Sequence, residues 1–455
     1  MKVFSFLVIL IISIILSSKN ESEAFLWNDW SFSWIINTNN RQTTTTVSPV
    51  VTTSTTQKIT TPAPVVDNNK TKTASITEDE KMQAIRNISS SINQFSIKLH
   101  QAMAEKTNGS FISSPLSAAM VYMMAAYGAR GKSADEMNSM LHFDTNNSTY
   151  NVGINSLITM FDTPNPIGFK LANKIYAGKD QEIKSDYKSL VNETFKSSIE
   201  NVDFGLSDDT MTKINNWRAE KLHQRITNVI EPDEVSADTE LFFINSLYFS
   251  TSWKSAFDKT RSKQRNFDIN KNETIKQTVM YNTDFVSYYI QLKELNISAF
   301  IIEFKRDSKN DELMKFILVR PNYPNISIYD VERNLHKLQL SNLDHIKNSS
   351  DVEVPKFRIE STINLKDMFN QSQTNFSGIS KQGSELKMDR VVQKLTFEIN
   401  EFGIEAAVHS EASLAKKTEN NGPPFKQIPV FTTDPFVLLI TYNDTIIFTG
   451  RFIGK

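Results

Sequence analysis

The chain has 455 residues, with 50 basic and 51 acidic side chains, a formal net charge of −1 and no cysteine. So even a balance argues against nucleic acid or an anionic membrane as a partner. The missing cysteine excludes a disulfide framework, a thiolate metal centre and a cysteine nucleophile, leaving a large apolar core to hold any folded body.

Met1-Lys2 precedes Val3 to Leu16, an almost wholly apolar run, and Ser22-Glu23-Ala24 places small residues at the two positions that matter for cleavage. Residues 1–24 are read as a secretory leader, with the mature chain starting at Phe25. The alternative is a signal anchor, for which the run is short. Secretion is therefore expected. Asn87, Asn108, Asn147, Asn192, Asn272, Asn296, Asn325, Asn348, Asn375 and Asn443 stand in Asn-x-Ser/Thr contexts as glycosylation candidates. A chain rich in Asn, Ser and Thr also makes such triplets by chance, and several must be buried.

Residues 25–77 read as an extension outside the core. Trp27, Trp30 and Trp34 share helical spacing and form a stripe for a partner or for the protein's own body, or else a partly ordered tail. Thr43 to Thr46, Thr52 to Thr56 and Thr60-Thr61-Pro62-Ala63-Pro64 follow. That composition predicts an extended, O-glycosylated spacer.

The folded body is placed at 78–455. Ile85, Ile88, Ile92, Phe95, Leu99 and Met103 predict a helix, and Phe111-Ile112 a short strand. Ser114-Pro115 then starts a second helix with proline in its first turn. Ala118 to Tyr127 is apolar nearly all round and so central. Ser133-Ala134-Asp135-Glu136 reads as a capping pattern opening the next helix. Lys213 to Ile230 predicts a helix passing into a turn, and Leu241 to Phe249 a strand buried on both faces.

Near the C-terminus, Val392 to Ile399 alternates like a strand, and an apolar strand opens at Pro435-Phe436. The stretch between them, about 400–434, far exceeds the usual loop of ~4–6 residues. From Ile404 its even positions (Ala406, Val408, Ser410, Ala412) are small or apolar, while Glu405, His409 and Glu411 are polar. That is the period of a strand with one face ready for burial, and it ends in Lys416-Lys417. Such a loop has two possible states. The alternative is a disordered surface loop with accidental alternation.

Glu401-Phe402-Gly403-Ile404-Glu405-Ala406-Ala407 resembles the hinge of the serpins, usually Glu-x-Gly-Thr-Glu-Ala-Ala. Phe111-Ile112-Ser113-Ser114-Pro115-Leu116-Ser117, Gly128-Ala129-Arg130-Gly131 and Asn245 to Phe257 with its Trp253 are also similar to that family. So are Pro355-Lys356-Phe357, Phe376-Ser377-Gly378-Ile379-Ser380 and the closing strand pair through Gly450-Arg451. They run in family order from about Ile85 to Ile453. The resemblance implies an α+β serpin fold, helices around three β-sheets with an exposed reactive-centre loop. It further implies a monomer, no enzyme activity, no cofactor and no metal.

The implied activity is inhibition of a serine protease, covalently, as a suicide substrate. The protease attacks the loop, and the hinge then enters the central sheet as a new strand. Fourteen residues from Gly403 to Lys417, at ~3.3 Å each, reach ~45 Å. Family counting puts the reactive bond at Lys417–Thr418, with Lys416 as the alternative and Lys426 a poorer one, which suits a trypsin-like enzyme. Dibasic Lys416-Lys417 also suits a proprotein convertase, although Leu414 is apolar where such enzymes prefer arginine. The shutter residues carried over are Ser114, Ser117, Asn245 and Gln393, with Gln393 standing where the family usually has histidine. Ile404 replaces the usual Thr or Ser, and Val408 and His409 are bulkier than usual. These departures keep open a non-inhibitory secreted serpin, a carrier or substrate-only member. An extracellular binding module working through Trp27 to Trp34 fits either. Lys170, Lys174, Lys179 and Lys184 are read as a polyanion contact or, more simply, a solvated face.

Overall fold

In the computed structural model, the residues described are 8–15, 76–162, 168–221, 237–306, 314–322, 326–338, 346–368, 375–381, 390–404 and 430–454. One unit comprises 1–17 and 77–455. The expected spacer, with Trp27, Trp30 and Trp34, lies outside the described residues up to its last two positions.

In chain order the elements begin with β1 (Val8–Ile15), α1 (Glu78–Lys106), β2 (Phe111–Ser113), α2 (Pro115–Gly128), α3 (Lys132–Leu141) and α4 (Ser148–Asp162). Next come β3 (Gly168–Gly178), α5 (Ser185–Phe195), β4 (Ser198–Val202), α6 (Ser207–Lys221) and β5 (Thr239–Ser252). β6 (Lys263–Asn270), β7 (Glu273–Leu292), β8 (Ile297–Glu303), β9 (Met314–Pro321) and α7 (Ile328–Arg333) follow. The chain closes with β10 (Ile346–Pro355), β11 (Phe357–Asn364), β12 (Arg390–Asn400), β13 (Gly403–Ile404), β14 (Val430–Phe431), β15 (Phe436–Tyr442) and β16 (Thr445–Phe452).

A capping box sets the start of the body. Thr77 Oγ1 accepts from the Glu80 backbone N–H at 3.2 Å, and Glu80 Oε2 accepts from that of Thr77 at 2.8 Å. Every residue of α2 is buried, as its all-round apolar sequence requires, and Ser114 Oγ accepts from Ser117 N–H at its head. The capping pattern expected at Ser133 does not form. Gly131, at φ 56°, makes the turn into α3, which places Ser133 inside the helix, where its Oγ accepts from Asn375 N–H at 2.9 Å. α6 starts earlier than the sequence pattern suggests, at Ser207, and is described to Lys221.

Among the described residues the strands form two hydrogen-bonded ladders. In the first, β11 pairs with β12, β5 with β3, and β3 with β4, while β13 and β1 lie end to end between β12 and β5. The second runs β14-β10-β7-β8-β9-β15-β16-β2, with β6 on β7. β7 is 20 residues long and joins two of the expected sheets into one hydrogen-bonded ladder, pairing with β6 and β10 along most of its length and with β8 at its end.

Near its β2 edge the second sheet buries charge as well as apolar surface. Arg451 is wholly buried, with Nη1 2.9 Å from Glu332 Oε2 and Nε donating to Gly109 O at 3.1 Å. Glu332 Oε1 lies 3.2 Å from His100 Nε2, whose Nδ1 meets Thr449 Oγ1 at 2.8 Å. A buried ion pair survives only when its remaining lone pairs and protons are satisfied, and here they are. The cluster ties α1 to β16 and α7.

Candidate functional site: a hinge at the head of a strand slot

The site is built where β12 ends and turns back. β13 enters between β12 and β5, with Ile404 opposite both Ile399 and Thr251. Three backbone-directed bonds hold the turn. Trp253 N–H donates to Phe402 O at 2.9 Å, Phe257 N–H to Glu401 O at 2.8 Å, and Trp253 Nε1 to Asn400 O at 2.9 Å. Phe304 stacks on Trp253 at 4.9 Å, which fixes the indole.

Glu401 is 3% exposed. Its carboxylate accepts from Ser262 Oγ at 2.8 Å and from Lys356 Nζ at 3.1 Å. Burial opposes the charge, but these bonds, a backbone bond and the lysine together hold the carboxyl below the ordinary glutamate value. Gly403 sits at φ 151°, and a Cβ there would collide with the Thr251 carbonyl, so only glycine fits. Ile404, 2% exposed, is already packed into the core.

Below the hinge, β5 and β12 are separated by one strand's width. β1 occupies it: Val8 pairs with Leu395 and Leu247, and the ladder continues to Ser13 on β12 and Ile15 on β5. The wall residues Leu395, Phe397, Ile399, Leu247, Phe249 and Phe243 are all buried. β1 and β13 run in the same direction and share one slot.

The residues expected to form a shutter lie midway along β12 and at the head of α2. Gln393 is fully buried and clamps Ser114, with Oε1 accepting from Ser114 N–H at 3.1 Å and Nε2 donating to Ser114 O at 3.0 Å. Ser114 Oγ donates to Ile447 O at 2.9 Å, and Ser117 is buried beside it. An amide can do both jobs at once because it carries a donor and an acceptor in one plane. Asn245 lies in β5, its side chain outside the described residues, and Glu405, Ala406, Ala407, Lys416, Lys417 and Thr418 also lie outside them.

The lysines read as a polyanion contact are largely engaged within the protein. Lys174 is 9% exposed, 2.6 Å from Glu200, and faces Tyr176 and Trp217. Lys179 pairs with Asp203 at 2.7 Å, and Lys184 donates to Ser377 O at 2.7 Å. Of the four, Lys170 alone makes no such contact among the described residues, and one lysine makes no stripe. Of the glycosylation candidates, Asn108, Asn147, Asn192 and Asn272 are exposed, while Asn87, Asn296, Asn375 and Asn443 are partly buried. The Asn325 residue and the Asn348 side chain lie outside the described residues. Among the described residues no helix is long and apolar enough to cross a membrane.

What the sequence reading missed is how the hinge is held. Trp253, Phe257, Ser262 and Lys356 come from two distant stretches and converge on Asn400 to Phe402. Trp253 and Lys356 were visible only as motif letters; their shared target needs the fold.

The site is thus a sheet in which β5 and β12 stand one strand apart, with β13 and β1 end to end between them. Residues 90–454 match the family model described as Serpin (serine protease inhibitor), and the chain belongs to that family. It is 29% identical to alaserpin of Manduca sexta over 294 residues, covering 62% of this chain and 73% of that one. With the leukocyte elastase inhibitor of Xenopus tropicalis it shares 26% identity over 392 residues, 81% and 99% of the two chains. Among solved structures, Serpin48 of Tenebrio molitor aligns with TM-score 0.67 at 22% identity, covering 81% of this chain and 98% of that one. Cleaved Serpin 42Da aligns with TM-score 0.70 at 18% identity, covering 82% and 99%. These structures share the fold.

Proposed function

We propose that the chain, freed of residues 1–24, is a secreted inhibitor of a trypsin-like serine protease. It acts once, as a suicide substrate, with Lys417–Thr418 as the bond attacked and Lys416 as the alternative. The protein is a monomer, is glycosylated at exposed asparagines such as Asn108 and Asn272, and carries its Thr-rich extension as a spacer.

The single observation that carries this reading is the register of β13. Continuing from Ile404 residue by residue, Ala406 would meet Phe397 and Phe249, Val408 would meet Leu395 and Leu247, and Ser410 would meet Gln393 and Asn245. Directly opposed residues of an antiparallel pair point to one face, and these partners are buried wherever their side chains are described. The even positions would thus enter the core, as their small or apolar side chains allow. Removal of the leader would empty the slot, so the loop-out form would be the less stable one. The protease stays acyl-linked to Lys417 while the loop carries it away.

The test is incubation of purified 25–455 with trypsin, followed by a denaturing gel. A band at the summed mass and a fragment beginning at Thr418 are expected. Clean cleavage without complex, and without any gain in heat stability, would instead support the carrier or substrate-only reading.

A further inference from the structure

α1 and β2 are joined by Thr107 to Ser110, with Asn108 and Gly109 in the middle. Asn108 is exposed, and among the described residues no hydrogen bond engages its side-chain amide or the Gly109 N–H. A Cβ built on Gly109 would meet nothing within 4 Å, so the pair stands in open space.

An asparagine followed by glycine is open to one intramolecular reaction. The backbone nitrogen of Gly109 attacks Cγ of Asn108 and loses its proton, the side-chain nitrogen leaves as ammonia, and a succinimide ring closes. Glycine favours the attack because no Cβ shields its nitrogen. Water then opens either imide carbonyl. One route gives aspartate. The other, usually the main one, gives isoaspartate, in which the main chain runs through Cβ and Cγ. The net change is amide plus water to acid plus ammonia.

What distinguishes this pair is how it is held from inside. Arg451, wholly buried, donates through Nη2 to Thr107 O and, at 2.8 Å, to Gly109 O, and through Nε to Gly109 O at 3.1 Å. The carbonyls on both sides of Asn108 thus rest on one guanidinium. Ser110 Oγ, next along, accepts from Ile453 N–H at 3.0 Å. A guanidinium is a rigid planar fork, so it fits one spacing of the two carbonyls. Isoaspartate inserts a methylene between them, about 1.5 Å of added chain. Arg451 then gives up an acceptor while its charge stays buried, 2.9 Å from Glu332.

We propose that Asn108-Gly109 is a self-modifying site whose isoaspartate product releases the grip of Arg451 on the α1–β2 connection. The site is a clock on the folded protein. Asn108 also heads Asn108-Gly109-Ser110, so a glycan there would occupy the nitrogen that must leave and would stop the clock. Only this last step rests on the glycosylation proposed above.

The experiment ages the full chain, made without glycans, in mildly alkaline buffer, which favours the attacking nitrogen anion. Tryptic peptide 107–130 has Asn108 as its single asparagine, so an amide-to-acid mass gain there reports this site alone. Isoaspartyl methyltransferase, which methylates isoaspartate and leaves ordinary aspartate alone, reports the product. As the peptide converts, the melting temperature should fall by several degrees. The chain's other Asn-Gly pair, Asn421-Gly422, lies in peptide 418–426, and the fall should follow 107–130 and not that one. Gly109→Ala places its Cβ in open space, so it should start at the natural melting temperature and hold it on ageing. Fresh Asn108→Asp carries the acid on a main chain of natural length and should melt with the unaged protein. No mass gain in 107–130 overturns the site. Conversion without any fall, or an equal fall in fresh Asn108→Asp, overturns the release of Arg451.

Discussion

Glu401 is the residue on which the closed hinge depends most. Its carboxyl is held below the ordinary value of 4.5. A depressed acid contributes stability that is complete above its unfolded value and is lost as the pH falls through the folded one. Glu401→Gln should therefore lower unfolding free energy by about 1–3 kcal/mol at neutral pH, with the gap to the natural protein closing below pH 4.5. Denaturant melts at pH 7 and pH 4 check this, and a gap that does not change with pH would sink it. His142 acts over a different window. Burial first, and Lys98 second, lower it from 6.5 to about 4. The fold favours the neutral ring, so stability falls as the pH drops from 6.5 towards 4. His142 holds φ 49°, a left-handed conformation that asparagine also tolerates. His142→Asn should flatten the melting temperature across that interval.

At the scale of elements, the hinge turn gives two more tests. Gly403→Ala cannot seat beside the Thr251 carbonyl, so β13 should leave the slot, exposing the 403–404 bond to proteases that ignore it in the natural protein. Ala406→Arg would drive a charge toward Phe397 and Phe249. It should abolish covalent complex while leaving cleavage intact, as read on the gel. How far these elements were legible in the sequence differs by cause. α2 was plain because a helix apolar on every side has only one place to be. The hinge was plain because Gly403 and Glu401 recur in a known pattern. The clamp of Gln393 on Ser114 joins residues 279 positions apart. The engagement of Lys174 and Lys179 depends on Glu200 and Asp203, acids brought alongside by the parallel pairing of β3 with β4. Spacing along one stretch cannot show either. Ser133 was misplaced because a glycine at φ 56° ended the turn two residues earlier, a backbone property that side-chain patterns do not encode.

For the whole molecule, stability without disulfides rests on a large apolar core, on a second apolar cluster between α7 and β7, β8, β9 and β15, and on the buried group of Arg451, Glu332 and His100. Arg451→Met would leave Glu332 buried beside an unmatched partner and should cost about 3–5 kcal/mol, measured by urea unfolding. Thermal melts of cut and uncut protein address the larger question of whether the sheet gains by taking up its own loop.

β15 and β16 are buried at every position and lie inside the second sheet, between β9 and β2. Both strands come some 330 residues after the end of α1, which they help to cover. At ~5–20 residues per second, a ribosome needs roughly 16 to 66 s to make that intervening stretch. Until then Ser89 cannot meet Thr445, nor the carbonyl of Gly109 meet Arg451. This body therefore does not close in chain order, and removal of the strand pair from Phe436 onward would strip β9 and β2 of their neighbours.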